Sequence, residues 1–201
     1  MNPPERQDFR LDVLRELGNI GSGRAATALS QLLNRRIQMK VPQVQVMTFS
    51  ELLDARGGAD MPVATVVIDI QGDVEGRMFF MQDIRSVERV IEVVLGERDG
   101  IEKLSEMAYS LLFEMGNILV SSYFSALSDL TGLRMSVTVP RVSIDMLGAI
   151  LGEGLAEMEQ LENKAIVIDA EIIEGQGRFE GAFCFIPIPS SMDVLFGALG
   201  V

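Results

Sequence analysis

The chain repeats itself, and the repeat constrains its fold more than its length or composition does. Sliding the sequence by 98 residues sets Leu11–Pro42 against Tyr109–Pro140, and twelve of the thirty-two positions are then identical. Among the identities are Leu14/Leu112, Glu16/Glu114, Gly18/Gly116, Asn19/Asn117, Val41/Val139 and Pro42/Pro140. A period of this kind marks one supersecondary unit used twice, so the two halves should fold alike. The repeats run over approximately residues 8–98 and 101–201, joined through "GERDGIEKL", and the whole is expected to form one domain.

The first copy carries "ELGNIGSGRAAT", with three glycines within six residues, which raises the possibility of a phosphate-cradling loop. In the second copy, "EMGNILVSSYFSALSDL", two of the three glycines have become Leu119 and Ser121, while the Glu, the Asn and the apolar frame persist. A phosphate cradle depends on its glycines, and a strand should precede it, which none does here. The spacing instead predicts a helix. Leu11, Leu14, Gly18, Gly21, Ala25, Ala28 and Leu32 trace one stripe at intervals of three and four, as do Leu112, Gly116, Leu119, Tyr123, Ala126 and Leu130. Gly18 and Gly21 would let the helix lie close on a sheet, at about 1 kcal/mol each in helix propensity. Asp12, Glu16, Asn19 and Gly23 fall on the opposite face, matched by Ser110, Glu114, Asn117 and Ser121.

After its helix each half reads as strands and a further helix. "RIQMKVPQVQVM", "PVATVVIDIQG" and "DVEGRMFFMQ" lead to "IRSVERVIEVVLG", a helix closed by Gly96. "RMSVTVPRVSIDM", "AIVIDAEIIEG" and "RFEGAFCFIPIP" lead to "SSMDVLFGALG". Glu75-Gly76 and Glu180-Gly181 read as turns in similar places, and Leu147–Leu161 as a short helix found only in the second half. The fold class is α/β (α+β): a single pseudo-twofold domain from two αβββα repeats, with a shared β-sheet and two long helices packed side by side on it.

Composition removes several kinds of chemistry. With no histidine among 201 residues, Ser-His-Asp triads, Cys-His pairs and imidazole general bases are excluded. Cys184 is the only cysteine, in the apolar "GAFCFIP", so no internal disulfide can form and a packed core thiol is expected. The formal net charge of −12 repels polyanions, so nucleic acid is not an expected partner. No apolar run reaches the roughly 20 residues a spanning helix needs, and the start has no signal-peptide core. A cytoplasmic protein without membrane insertion is expected.

What remains is the repeated Glu-x-x-Asn. Asn has poor helix propensity, by up to about 0.7 kcal/mol against Ala, so holding it in mid-helix twice asks for a reason. An exposed carboxylate and carboxamide at i and i+3 form a small rigid surface. The amide both donates and accepts, so it can hold a water beside a phosphoryl oxygen, although it cannot take a proton. Phosphoryl transfer tolerates that, because its transition state is loose and catalysis is mostly positioning. The carboxylate would pair with a cation on a partner.

The pattern [Asp/Ser]-x3-Glu-x2-Asn-x22-Pro, met by Asp12, Glu16, Asn19 and Pro42 and again by Ser110, Glu114, Asn117 and Pro140, resembles the signature of the CheC/CheX/FliY phosphatases of chemotaxis. The likeness extends to "GDVEG", "IDMLGAI" and "IPIPSSMDVLFGALG", and a length near 200 with both sites is that of the CheC-type members. The resemblance implies hydrolysis of the aspartyl phosphate of the response regulator CheY. Asn19 and Asn117 would orient water, Glu16 and Glu114 would dock the regulator's lysine, and Pro42 and Pro140 would shape a strand near each site. The Mg²⁺ would be the regulator's, with no cofactor or metal in this chain. It also implies a second partner, the deamidase CheD, at Asp145, Met146, Ala149 and Ile150 within "SIDMLGAILGE", on a protein expected to be a monomer.

Two other readings compete. A non-catalytic module of the chemotaxis or flagellar switch apparatus, binding CheD or CheY, would resemble the FliM middle domain, which is similar in fold but lacks the Glu/Asn pairs. A glycosidase would need two carboxylates about 5–9.5 Å apart across one sugar bond, and no feature of the sequence places Glu16 and Glu114 in one cleft.

Overall fold

A computed structural model describes residues 3–98, 100–156 and 164–200, with side chains from Phe9 onward and, in the fifth helix, up to Glu153. The first half comprises α1 (Pro3–Leu33), β1 (Ile37–Lys40), β2 (Val44–Thr48), α2 (Phe49–Ala55), β3 (Pro62–Gly72), β4 (Gly76–Asp83) and α3 (Ile84–Leu95). A 3₁₀ turn at Ile101–Lys103 leads to the second half: α4 (Glu106–Thr131), β5 (Met135–Val137), β6 (Arg141–Met146), α5 (Leu147–Ala156), β7 (Lys164–Glu174), β8 (Gly177–Pro187) and α6 (Pro189–Ala198).

Each long helix ends on a residue that tolerates left-handed backbone. Gly132 closes α4 at φ 69°, and Asn34, the equivalent residue 98 positions earlier, follows α1 at φ 49°. Gly96 closes α3 in the same way, as the sequence predicts.

The expected repeat gains an element. The predicted strand at 36–47 is two strands, β1 and β2, parted at Val41-Pro42-Gln43, and 134–146 is likewise parted at Thr138-Val139-Pro140. Both pieces pair with one neighbour, and the partner advances three residues (Glu171 to Ile168, Ile70 to Val67) where the broken strand advances four. The extra residue is a β-bulge, and proline suits it because it has no N–H to leave unpaired. The helix expected only in the second half has a counterpart: α2 starts at Phe49 and α5 at Leu147, again 98 apart. Thr48 and Glu51 form a capping box at the start of α2, a signal present in the sequence but hidden by the shortness of the helix. Of the predicted Leu147–Leu161, residues 157–161 lie outside the described residues.

The eight strands form one sheet in the order β1-β7-β8-β4-β3-β5, with β2 also on β7 and β6 also on β3. The halves have exchanged edges, since β1 and β2 pair with β7 of the second half and β5 and β6 with β3 of the first. At the centre β4 and β8 run antiparallel with Phe80 opposite Phe183, their ring centroids 4.8 Å apart. An antiparallel pair carries its twofold perpendicular to the sheet, so this pair sets the pseudo-axis of the molecule.

Alternation of side chains gives the sheet two apolar faces. Val66, Ile68, Phe80, Ile168, Phe183 and Phe185 face α1 and α4, with Leu195 and Phe196 of α6 and Val90 of α3 joining the same cluster. Val63, Val67, Phe79, Val167, Cys184 and Ile186 face the other way, under Leu52 of α2 and Leu147, Ile150 and Leu151 of α5. The sheet is therefore covered on both sides, not one. The "EG" dipeptides occupy equivalent places, each eight residues before the helix that follows, but are not turns: Gly76 opens β4 and Gly181 lies inside β8, and a Cβ would come 2.8 Å from the Phe185 ring at Gly76 and 2.8 Å from the Phe80 ring at Gly181. The β7–β8 turn is at Gly175-Gln176.

Candidate active site

The helix stripe that buries α1 and α4 also fixes which residues remain in solvent. Leu14, Leu17, Gly18, Ala25 and Leu29 of α1 and Leu112, Met115, Gly116, Leu119 and Ala126 of α4 are buried. Leu32 and Leu130, expected in those stripes, are 44% and 53% exposed, because they lie in the last turns of their helices, where the stripe is no longer covered.

Gly18 and Gly116 do the job the sequence assigns them. A Cβ on Gly18 would lie 3.3 Å from Val41 and 3.7 Å from Ile168, and one on Gly116 would lie 2.4 Å from Val66. Gly21 serves a different contact: its missing Cβ admits α4, with Tyr123 Cα at 3.1 Å and its ring carbons at 3.0 Å. The exchange of glycine for Leu119 in the second copy follows from symmetry. Gly21 faces Tyr123, and the equivalent pair is Leu119 with Ala25, so large and small have changed places across the axis and both residues of the second pair are fully buried.

With the interior taken up by these contacts, the polar face is left outside. Asp12, Glu16 and Asn19 on α1 and Ser110 and Glu114 on α4 are exposed, and Asn117 is half-buried. The Asn117 carboxamide oxygen accepts a 3.4 Å hydrogen bond from Ser121 Oγ one turn on; Gly23 occupies the equivalent place beside Asn19, with open space around it. Arg15 Nη2 binds Asp12 Oδ1 at 2.9 Å with both side chains more than half exposed, a pair that Phe113 and Ser110 cannot form in the second copy.

The axis perpendicular to the sheet makes α1 and α4 antiparallel, touching at Gly21 and Tyr123. Glu16 precedes its contact residue by five positions and Glu114 by nine, so at 1.5 Å per residue the two stand about 20 Å apart along the helices. These are two separate sites. A pair of carboxylates spanning one glycosidic bond is excluded by that separation.

Several residues around the sites were not legible in the sequence. Ser22 is buried, donates to the Gly18 carbonyl at 2.7 Å and shares a 2.7 Å hydrogen bond with the Tyr123 hydroxyl. Burial pushes the Tyr123 phenol up to about 12, with the Ser22 hydrogen bond pulling the other way. Arg24 spans the helices on the outside, to Asp129 Oδ2 at 2.6 Å and Ser125 Oγ at 3.1 Å. A search for identities passes over these because they are contacts between unlike residues.

The motif prolines stand in the two bulges. Pro42 is exposed beside buried Val41, which packs under Gly18, while Pro140 is buried beside Val139, which is 77% exposed. Of the residues singled out for CheD, Asp145 and Met146 are exposed at the end of β6 and Ala149 is exposed on α5. Ile150 is only 5% exposed and packs against the sheet. The helix α5 packs on the sheet face opposite α1 and α4, whereas Met146 shares the strand face of Val142, which packs in the cluster under α1 and α4. Among the described residues no three acidic or cysteine side chains converge as a metal site, and no helix is long and apolar enough to cross a membrane.

This fold is shared with flagellar-switch proteins of known structure. The structure superposes on that of Thermotoga maritima FliY with a TM-score of 0.76 over 100% of this chain and 98% of that one, at 21% identity. The FliM middle domain from H. pylori gives 0.67 at 15% identity, covering 94% of this chain and 97% of the other. Among proteins of this fold, the chain belongs to the CheC-like family, whose pattern matches residues 9–46 and 107–144, the two copies of the repeat. It is 44% identical over 199 residues, 96% of its length, to the CheY-P phosphatase CheC of Bacillus subtilis, covering 95% of that protein. It is 25% identical over 139 residues to the flagellar motor switch phosphatase FliY of the same organism, of which it spans 36%.

Proposed function

We propose that this chain is a cytoplasmic hydrolase that removes the aspartyl phosphate of the response regulator CheY, using two sites. Asn19 and Asn117 each hold a water in line with phosphorus, and Glu16 and Glu114 each pair with the regulator's lysine. The water oxygen bonds to phosphorus as the acyl P–O bond breaks, the aspartate leaves as carboxylate, and the water's proton goes to the released phosphate and solvent. The Mg²⁺ that neutralises the developing charge is held by the regulator. Neither Asn nor Glu needs to titrate, which suits a chain without histidine.

The observation that carries this reading is the recurrence of Glu and Asn at equivalent places on the outer faces of two helices, Glu16, Asn19 and Glu114 exposed and Asn117 half-buried, in a chain 44% identical to a CheY-P phosphatase. The non-catalytic reading gives no account of why both pairs are retained while nearby positions such as Arg15/Phe113 and Ser22/Val120 differ. Asp145, Met146 and Ala149 are proposed as the CheD surface.

The test is the lifetime of phosphorylated CheY. Asn19→Ala and Asn117→Ala alone each leave one working site. Together they should lower the rate by about 10²–10³, the usual loss on removing one aligned polar contact. Normal hydrolysis by the double variant refutes the proposal.

A further inference from the structure

The stripe that carries Glu and Asn continues two turns toward each helix start and meets a large apolar side chain both times. Phe9 is 46% exposed and Met107, its equivalent 98 residues on, is 63% exposed. The sets Phe9, Asp12, Glu16, Asn19 and Met107, Ser110, Glu114, Asn117 follow one spacing of three, four and three, so each set lies along one face. One exposed apolar residue needs no explanation, but two at equivalent positions, differing in identity and alike in character, beside two equivalent polar pairs, do. Leu32 and Leu130 form another exposed pair, yet they extend the sheet-side stripe, away from the Glu and Asn.

The helix backbone is held in place next to both residues. The Arg10 guanidinium stacks 4.4 Å over the Phe196 ring of α6, which fixes the start of α1 next to Phe9. On α4, Ser105 caps the helix by accepting from Ala108 N–H at 3.0 Å, and Ala108, beside Met107, is fully buried. Neither Phe9 nor Met107 can turn into the core without unseating these contacts. An exposed apolar side chain on a fixed stretch of helix is suited to docking, because the backbone that presents it needs no ordering when it is covered.

We propose that Phe9 and Met107 are docking residues for the phosphorylated regulator, one for each site. This rests on the phosphatase reading above. Each inserts into an apolar patch of the regulator while the Asn of the same helix reaches the phosphoryl group. Ten residues of helix separate Phe9 from Asn19, so that patch lies about 15 Å from the phosphorus. The residues position the substrate and touch none of the reacting atoms.

The experiment uses full-length protein with one site silenced. In the Asn117→Ala background, where only the first site works, Phe9→Ser should raise KM for phosphorylated CheY about tenfold and leave kcat unchanged, while Phe9→Leu restores most of the affinity. In the Asn19→Ala background Phe9→Ser should change nothing, and Met107→Ser should reproduce the KM effect there. The proposal is overturned if Phe9→Ser leaves the KM of the first-site enzyme within twofold of its parent, or if it raises KM equally in both backgrounds. Failure of the phosphatase reading is distinguishable, since it shows as hydrolysis surviving in Asn19→Ala/Asn117→Ala with Phe9 and Met107 intact.

Discussion

Gly18 and Gly116 are the same residue at equivalent points of a duplicated helix, yet replacing them with alanine should shift stability in opposite directions. In both helices alanine gains about 1 kcal/mol of propensity. At Gly18 the new methyl would stand 3.3 Å from a Val41 methyl, a contact that a few tenths of an ångström relieve, and Val41 lies in a bulge where the chain can yield. Gly18→Ala should therefore be neutral or stabilising by up to about 1 kcal/mol. At Gly116 the methyl would meet three Val66 side-chain atoms at 2.4, 2.6 and 2.6 Å. Ordinary carbon contacts lie at about 3.5–4.0 Å, so α4 must lift by about 1 Å from a central strand or Val66 must leave its rotamer. Overpacking of this kind costs about 1–3 kcal/mol, which outweighs the propensity gain and leaves Gly116→Ala destabilised by up to about 2 kcal/mol. For a chain of this size a loss of about 2 kcal/mol is roughly 4–8 °C in Tm. Urea unfolding and thermal melts of the two variants against the parent decide it. Shifts of the same sign, or a more stable Gly116→Ala, would refute the claim that the glycine exists for a helix–sheet contact. Gly116→Ala combined with Val66→Ala should recover part of the loss, since the second change removes the atoms that clash.

Two further outcomes follow from buried groups, and a third from a cap. Burial pushes the Cys184 thiol from 9.0 up to about 12, eased by the Arg56 charge, and the Tyr123 phenol from 10.0 up to about 12. Both stay protonated in the folded chain while the unfolded chain ionises. The stability they contribute is thus complete below about pH 9 and falls between pH 9 and 12, by up to about 1.4 kcal/mol per pH unit for each group. Urea midpoints measured from pH 8 to 11 should show that fall, with the part starting near pH 9 missing in Cys184→Ala. Tyr123→Phe should cost about 1 kcal/mol at neutral pH by chemical denaturation, because Ser22 keeps its bond to the Gly18 carbonyl and only one hydrogen bond is lost. Thr48→Ala removes the capping box of α2 and should lower stability by about 1 kcal/mol, seen as a drop of a few degrees in Tm.

The helices α1 and α4, their buried and exposed faces, and the twofold relation between halves were all legible in the sequence. So were the strands β3, β4, β7 and β8 and the left-handed close of α3 at Gly96. Each depends on a period or a cap carried by neighbouring residues, and the repeat supplied an internal check, as when Asn117 confirmed Asn19. Where local signals misled, a contact distant in sequence was responsible. Gly76 and Gly181 read as turns, but each lies in a strand and makes room for a ring of the other half, Phe185 and Phe80 respectively. Gly21 looked like a second helix–sheet glycine and turned out to receive Tyr123 of the other helix. The helix α2, seven residues long, is too short to show a period, and its capping box at Thr48 and Glu51 is the one local signal for it.

By itself the sequence determined what each segment is and which side of it avoids water, because backbone preference and apolar spacing act over a turn or a few strand residues. It could not determine who pairs with whom. That the edge strands of each half join the other half, that both faces of the sheet are covered, and that the two Glu-Asn pairs stand about 20 Å apart on antiparallel helices follow only from tertiary structure. Strand partners are chosen by hydrogen bonds and packing between residues a hundred positions apart, and such choices leave no mark in local spacing.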